Sequence, residues 1–292
     1  MHGLVWHDRP ALERPLLLAA FEGWNDAADA ASDALEWLRR RLDTGPLAMI
    51  DPEEHVDYQS TRPRVELVDG VVKEIRWPAY ELVAARAASR DLVLLTGAEP
   101  SYRWRSFCAT VLTVVREAGC ELVVTLGSLL ADVPHTHPVR ITGAATEPDL
   151  AARTGLEGSR YEGPTGIVGV LHDACRQAGV PSVSLWSPVP HYVASPPNPP
   201  ATRGLLSGLG RLADLSLDLR ELDVLAHAWR ASVDEVVADD PQVAAYVRRL
   251  EEQADRPPDL TGELGAGSGE LPSGDALAAE LERFLRDQRR DG

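Results

Sequence analysis

The chain has 292 residues, 44% of them hydrophobic and 25% charged, which is enough apolar content to bury a full core and excludes a wholly disordered polymer. A formal net charge of −16 argues against a nucleic-acid backbone or an anionic membrane surface as the main partner. Lys73 is the only lysine, so Schiff-base chemistry or a phosphate-gripping loop lysine has one position at most.

Short apolar runs alternate with helical patterns along the first 200 residues. A strand is expected over 16–21, followed by a helix over 26–42 with Ala27, Ala30, Ala31, Ala34, Leu35 and Leu38 on one stripe. Residues 47–50 predict a second strand. Residues 65–77 read differently, as two alternating runs joined by Asp69-Gly70, a strong two-residue hairpin signal. A strand over 92–96 leads to a helix over 101–118 with Ser101 as its cap. Strands over 122–126 and 182–186 flank a helix over 165–178 that Gly179 stops, and 139–142 adds a short strand. These Leu/Val-rich runs are nearly continuous, as strands covered on both faces are. The alternation predicts a three-layer α/β/α fold around a mostly parallel sheet.

The texture changes at 187–200, where prolines surround His191 and Tyr192 and forbid regular helix or central strand. Helical patterns resume over 201–215, 219–237 and 241–252. The expected organisation is a core domain over 1–200, a helical C-terminal subdomain over 201–254, a flexible Pro/Gly-rich linker over 255–274 and an amphipathic tail helix over 275–292. That helix sets Leu277, Leu281 and Phe284 on one face, to bury against a partner or a groove of its own. Cys108, Cys120 and Cys175 are odd in number and far apart, and read as free thiols of a reducing cytoplasm. There is no signal-peptide pattern, and no apolar run approaches the roughly 20 residues needed to cross a bilayer.

In an open parallel sheet ligands bind beyond the carboxyl ends of the strands. The first predicted strand runs into Glu22, Gly23, Trp24, Asn25 and Asp26, where a phosphate loop would need bare glycine amides. Carboxylates there repel phosphate. Asp26 or Asn25 is expected to cap the following helix. Glu22 and Glu99, at neighbouring strand ends, are candidates for a polar ligand such as an amine or a ribose diol, the competing reading for Glu99 being an ion pair with Arg103 or Arg105. His135-Thr136-His137, with Asp132 nearby, invites a metal reading but lacks recognisable ligand spacing, so loop hydrogen bonding is expected and no metal or cofactor. Thr165, in the turn 163–166, is a candidate helix cap or anion contact, and His191 with Tyr192 a candidate acid–base pair. Ser128 after Gly127 lacks the nucleophile-elbow pattern of acyl transfer.

The ordered pieces FEGWNDAADAASDAL, DYQSTRPRV, LLTGAEPSYRWRSF, LGSLLADVPHTHPV, YEGPTGIVGVLHDA and SLWSPVPHYV resemble the proteasome assembly chaperone 2 family, in its bacterial branch, over about residues 15–250. The resemblance implies an α/β/α fold similar to purine nucleoside phosphorylases, followed by helices, and homo-oligomers among bacterial members. It also implies a non-catalytic protein that acts in complex assembly, with proteasome-related subunits as partners. Relatives that dock on the proteasome α ring end in a hydrophobic-Tyr-X tail, whereas this sequence closes with Arg289-Arg290-Asp291-Gly292. The family supplies no catalytic motif to carry over. The alternative is an enzyme or binder of a small nucleoside-like or amine ligand at the strand-end rim, using Glu22, Asn25, Asp26, Glu99 and His191.

Overall fold

The computed structural model describes residues 3–68, 71–154, 157–158 and 163–256. The Asp69-Gly70 turn and the predicted tail helix, with Leu277, Leu281 and Phe284, lie outside the described residues. In chain order the first half comprises β1 (Leu4–Trp6), β2 (Leu16–Glu22), α1 (Ala30–Arg41), β3 (Asp43–Ile50), β4 (Arg64–Val68), β5 (Val71–Arg76), β6 (Tyr80–Arg86), β7 (Leu92–Ala98) and α2 (Trp104–Glu117). The second comprises β8 (Leu122–Ala131), β9 (Thr142–Ala145), α3 (Pro148–Thr154), β10 (Glu157–Gly158), α4 (Ile167–Gln177), β11 (Ser182–Pro190), α5 (Pro199–Ala213), α6 (Arg220–Asp239) and α7 (Pro241–Ala254).

Nine strands form one sheet in the order β1-β3-β6-β7-β2-β8-β11-β9-β10, and β4 pairs with β5 apart from it. The four central strands β7, β2, β8 and β11 run parallel, as the alternation predicts. Antiparallel partners extend both flanks, β6, β3 and β1 on one side and β9 on the other, so the whole sheet is mixed. Alternate residues of β2 serve opposite cores. Leu17, Ala19 and Phe21 pack with α2 and α4, and Leu16, Leu18 and Ala20 with α1 and α5. Helices on both faces make the three layers and explain the unbroken hydrophobic runs of the central strands.

Several elements differ from their sequence pattern for identifiable reasons. β6 escapes a search for continuous runs because its residues alternate between buried and exposed, with Tyr80 and Leu82 inward. α2 starts at Trp104, because Arg103 takes a left-handed φ of 53° and Ser101 instead accepts a hydrogen bond from the Asp57 amide at 3.1 Å. The short strand expected over 139–142 is β9, displaced to Thr142–Ala145. α5 packs on the sheet through Leu205, Leu206 and Leu209, so it is a layer of the core, and α6 joins the same core through Leu222.

All three cysteines are free, with Cys108 and Cys175 buried and Cys120 partly so. Burial pushes the Cys108 and Cys120 thiols up to about 12 and Cys175 up to about 11. With so little thiolate, modification by a disulfide reagent at pH 8 will be slow in the native protein and fast in denaturant. Rapid native labelling of Cys108 or Cys175, read by peptide mass spectrometry, would contradict this packing.

Candidate functional site

The turn after β2 divides sharply between water and core. Glu22 is exposed, Gly23 turns the chain at φ 119°, and Trp24 stands 67% exposed, whereas Asn25 and Asp26 point inward at 1% and 4%. The Asp26 carboxylate accepts hydrogen bonds from the Ala31 amide at 2.7 Å, the Ser32 amide at 3.3 Å and the Ser128 hydroxyl at 3.3 Å. It caps the first turn of α1, as expected, and ties that turn to β8, where the Ser128 amide also donates to the Asn25 carbonyl at 2.8 Å.

Burial raises the Asp26 carboxyl above its ordinary range, against the lowering effect of the hydrogen bonds from Ser32 and Ala31. A raised folded value means that the cost of the buried charge is absent below the ordinary carboxylate range and grows as pH rises through the folded value. Asp26→Asn keeps an acceptor for the cap and removes the charge. Denaturant unfolding at pH 7 should show Asp26→Ala losing about 1–2 kcal/mol and Asp26→Asn more stable than wild type, an advantage that shrinks toward pH 4. Equal losses in both variants would mean that the charge itself holds the turn.

Glu99, at the end of β7, is a structural residue in this arrangement. Its Oε1 accepts from Asn25 Nδ2 at 2.7 Å and from the Ile167 amide at 2.8 Å, which places a carboxylate at the positive end of α4. Glu99 therefore performs the capping expected of Thr165, which is exposed and one residue outside the Gly166 cap position. Of the two arginines weighed as partners of Glu99, Arg103 pairs instead with Glu54 at 2.7 Å. Gly166 permits the clamp: a Cβ there would lie 2.3 Å from Asn25 Oδ1 and 2.6 Å from Glu99 Oε1.

His135, His191 and Tyr192 gather at a second place, past the ends of β8 and β11. The Tyr192 hydroxyl accepts from the His135 amide at 2.8 Å and is 2.7 Å from His135 Nδ1, so its own proton is directed to that nitrogen. Nε2 then carries the ring hydrogen and donates to Asp234 of α6 at 3.0 Å. His191 Nδ1 lies 3.1 Å from Asp132 Oδ1, which also accepts from Tyr246 of α7 at 3.3 Å, and Thr136 donates to Glu251 at 2.6 Å. The loop after β8 thus fastens α6 and α7 across the strand ends. Among the described residues no group of three His, Cys, Asp or Glu could hold a metal ion.

Burial raises the Tyr192 phenol to about 12, so it remains a proton donor at neutral pH. Tyr192→Phe leaves two buried His135 nitrogens without partners and should cost about 2–3 kcal/mol in thermal or denaturant unfolding. A neutral effect would mean that water replaces the phenol.

Beneath the fastened loop lies a cleft of about 360 Å³, walled by Pro134, His135, Pro188, Pro190 and Trp229, with Asn198 and Arg140 among its polar residues. Sequence reasoning did not single out Asn198, Arg140 or Trp229. One signal was available: Asn198-Pro199-Pro200 is an N-cap followed by proline at the first helical positions, and α5 begins there.

Among the described residues, no side chain of the β4–β5 ribbon is buried. Val65 opposes Ile75 and Leu67 opposes Val72, so these four share one face, and their exposures are 57%, 51%, 55% and 57%. The alternate positions are Arg64, Glu66, Glu74 and Arg76, with Val68 and Val71 paired beside them and exposed. On that face Arg76 pairs with Glu66 at 2.8 Å and Glu74 at 3.6 Å, and Lys73 lies 3.5 Å from Glu66. The ribbon is therefore amphipathic in isolation, with an ion-paired side and an uncovered aliphatic side.

The PAC2 family matches residues 20–237 of this chain. A solved PAC2 family protein from Streptomyces avermitilis is 51% identical, with a TM-score of 0.75 over 80% of this chain and 99% of that one. The Mycobacterium tuberculosis proteasome-assembly chaperone homologue is 46% identical, again with a TM-score of 0.75, over 80% of this chain and 99% of its own. An archaeal proteasome activator from Pyrococcus furiosus, at 19% identity and a TM-score of 0.63 over 81% of this chain and 99% of that one, shares the fold. A comparison with curated proteins gives no match.

Proposed function

Since the chain belongs to the PAC2 family, we propose that it is a non-catalytic cytoplasmic interaction protein, a homo-oligomer that acts in assembly of a protein complex, with proteasome-related subunits as the partner class. The partner class is suggested by the Mycobacterium tuberculosis relative, which is described as a proteasome-assembly chaperone homologue. The observation that carries the reading is the ribbon. A two-stranded hairpin is marginal alone, and four adjoining half-exposed aliphatic side chains need a cover. A second copy of the chain is always present in equal amount, and the aliphatic face of its own ribbon carries no charge to oppose the contact.

The rim supports the non-catalytic side of the reading. Asn25 and Glu99 engage each other and α4, and Asp26 engages α1 and β8, which leaves Glu22 as the carboxylate turned to water. That arrangement disfavours an amine or nucleoside site between β2 and β7. The test is affinity capture of the intact protein from its own cells, beside a variant with charges on the ribbon. We expect one stoichiometric protein partner with the intact chain; recovery of the chain with copies of itself alone would contradict an assembly role.

A further inference from the structure

The loop 136–139, the start of α5 and one side of α6 enclose a second pocket of about 350 Å³, within the range of small-molecule sites. What it binds is independent of the assembly reading. Its polar lining is Thr136, Arg203, Asp223 and Arg230. The rest of its wall comes from Pro138 and Val139 on the loop, Pro200 and Gly204 on α5 and Ala226 on α6. Two guanidiniums therefore share the pocket with one carboxylate, in a chain whose formal net charge is −16.

The two arginines are unequally satisfied. Arg203 Nε donates to Asp223 Oδ1 at 2.7 Å, which gives that guanidinium its counter-charge. Arg230 is half-buried and has neither an ion pair nor a hydrogen bond among the described residues. Asp234, one turn further along α6, accepts from His135 at 3.0 Å instead. The Arg230 Nε is enclosed, so no ligand reaches that atom; the η nitrogens at the tip are not enclosed and are the donors on offer. A charge drawn partly out of water without a counter-charge is unfavourable, so a cation placed in this way calls for an anion from outside the chain.

The other polar groups decide which anion. Asp223 cancels one guanidinium and leaves a single positive charge to be matched. The Thr136 hydroxyl donates to Glu251 at 2.6 Å, so its proton is spent, and it holds a carboxylate near the pocket that repels a second negative charge. A monoanion whose two oxygens fit the planar guanidinium fork is a carboxylate, and Pro138, Val139 and Pro200 suit a small aliphatic group beside it.

We propose that this pocket binds an aliphatic carboxylate, with the Arg230 η nitrogens as its principal donors, Arg203 as the second cation and the proline and valine walls against its aliphatic part. A free acid and the end of a peptide chain offer the same chemistry. The probes are therefore N-acetylleucine and an acetylated Ala-Ala-Leu tripeptide, each against its C-terminal amide, titrated into the full-length protein and read by saturation-transfer NMR. Both acids should bind in the millimolar range or tighter, and each amide about 10-fold more weakly. A tripeptide acid about 10-fold tighter than N-acetylleucine would make a chain end the natural source, and equal affinities a free acid. Arg230→Gln should weaken both acids about 5–10-fold and leave the amides unchanged. Asp223→Asn frees Arg203 and should tighten both acids about 3–10-fold, a gain that damage to the fold would not produce. Equal affinity for acid and amide, insensitivity to Arg230→Gln, no gain from Asp223→Asn, or no saturation transfer to either acid at about 10 mM would overturn the proposal.

Discussion

Under the proposed self-association through the ribbon, replacing Val65 and Ile75 together by aspartate should leave a monomer with its fold intact. The two side chains face each other across the ribbon at 57% and 51% exposure, on the side that carries no ion pairs. Fully burying an aliphatic side chain of this size stabilises a contact by about 1.5–3 kcal/mol, and a symmetric interface contains each position twice. The substitution removes that gain and places four carboxylates in the contact, each costly to dehydrate. An association constant lower by at least ~1,000-fold follows. The fold should survive, because β4 and β5 pair only with each other and contribute nothing to the nine-stranded sheet. Sedimentation velocity should give a smaller species with an unchanged far-ultraviolet circular dichroism spectrum. An unchanged sedimentation coefficient would remove the ribbon from the interface.

Gly166→Ala should be strongly destabilising. Its backbone, at φ −90° and ψ −170°, suits any residue, so the effect is one of space alone. The added methyl would meet Asn25 Oδ1 at 2.3 Å and Glu99 Oε1 at 2.6 Å, and neither can retreat without breaking the bond between them or the cap on α4. Overpacking costs about 1–3 kcal/mol, and a broken buried hydrogen bond adds a similar amount. A total of about 3–5 kcal/mol is a large part of the stability of an ordinary domain and corresponds to a melting temperature lower by roughly 6–15 °C. Calorimetry decides it. A shift below about 2 °C would mean that the clamp between β7 and α4 yields easily.

The difference between what was legible in the sequence and what was not has a physical basis. β2, β7, β8 and β11 are readable because each is covered on both faces and must be apolar throughout. β6 is not, because its alternation resembles that of many surface segments. The ribbon is readable as a hairpin, but period-two alternation ordinarily implies a core under the apolar face, and only the fold reveals that none lies there. At the site, capping by Asp26 follows from local order, since the amides it meets are five and six residues away. Glu99 and Ile167 are 68 positions apart, and the His135–Asp234 bond spans 99, so no local pattern could announce either. His135 and Tyr192 do meet, but as part of the fastening of α6, a role that their residue types alone do not separate from acid–base work.

Lys73 offers the most direct test of the central claim that the ribbon is a protein–protein contact. It is the only lysine in the chain and sits on β5, so an amine-reactive photo-crosslinker attaches there and, apart from the terminal amine, nowhere else. After illumination at micromolar concentration, peptide mass spectrometry should find Lys73 joined to residues 64–76 of a second copy, with the adduct lost in the Val65→Asp/Ile75→Asp variant. Adducts confined to the same chain, at every concentration and in both proteins, would contradict the account.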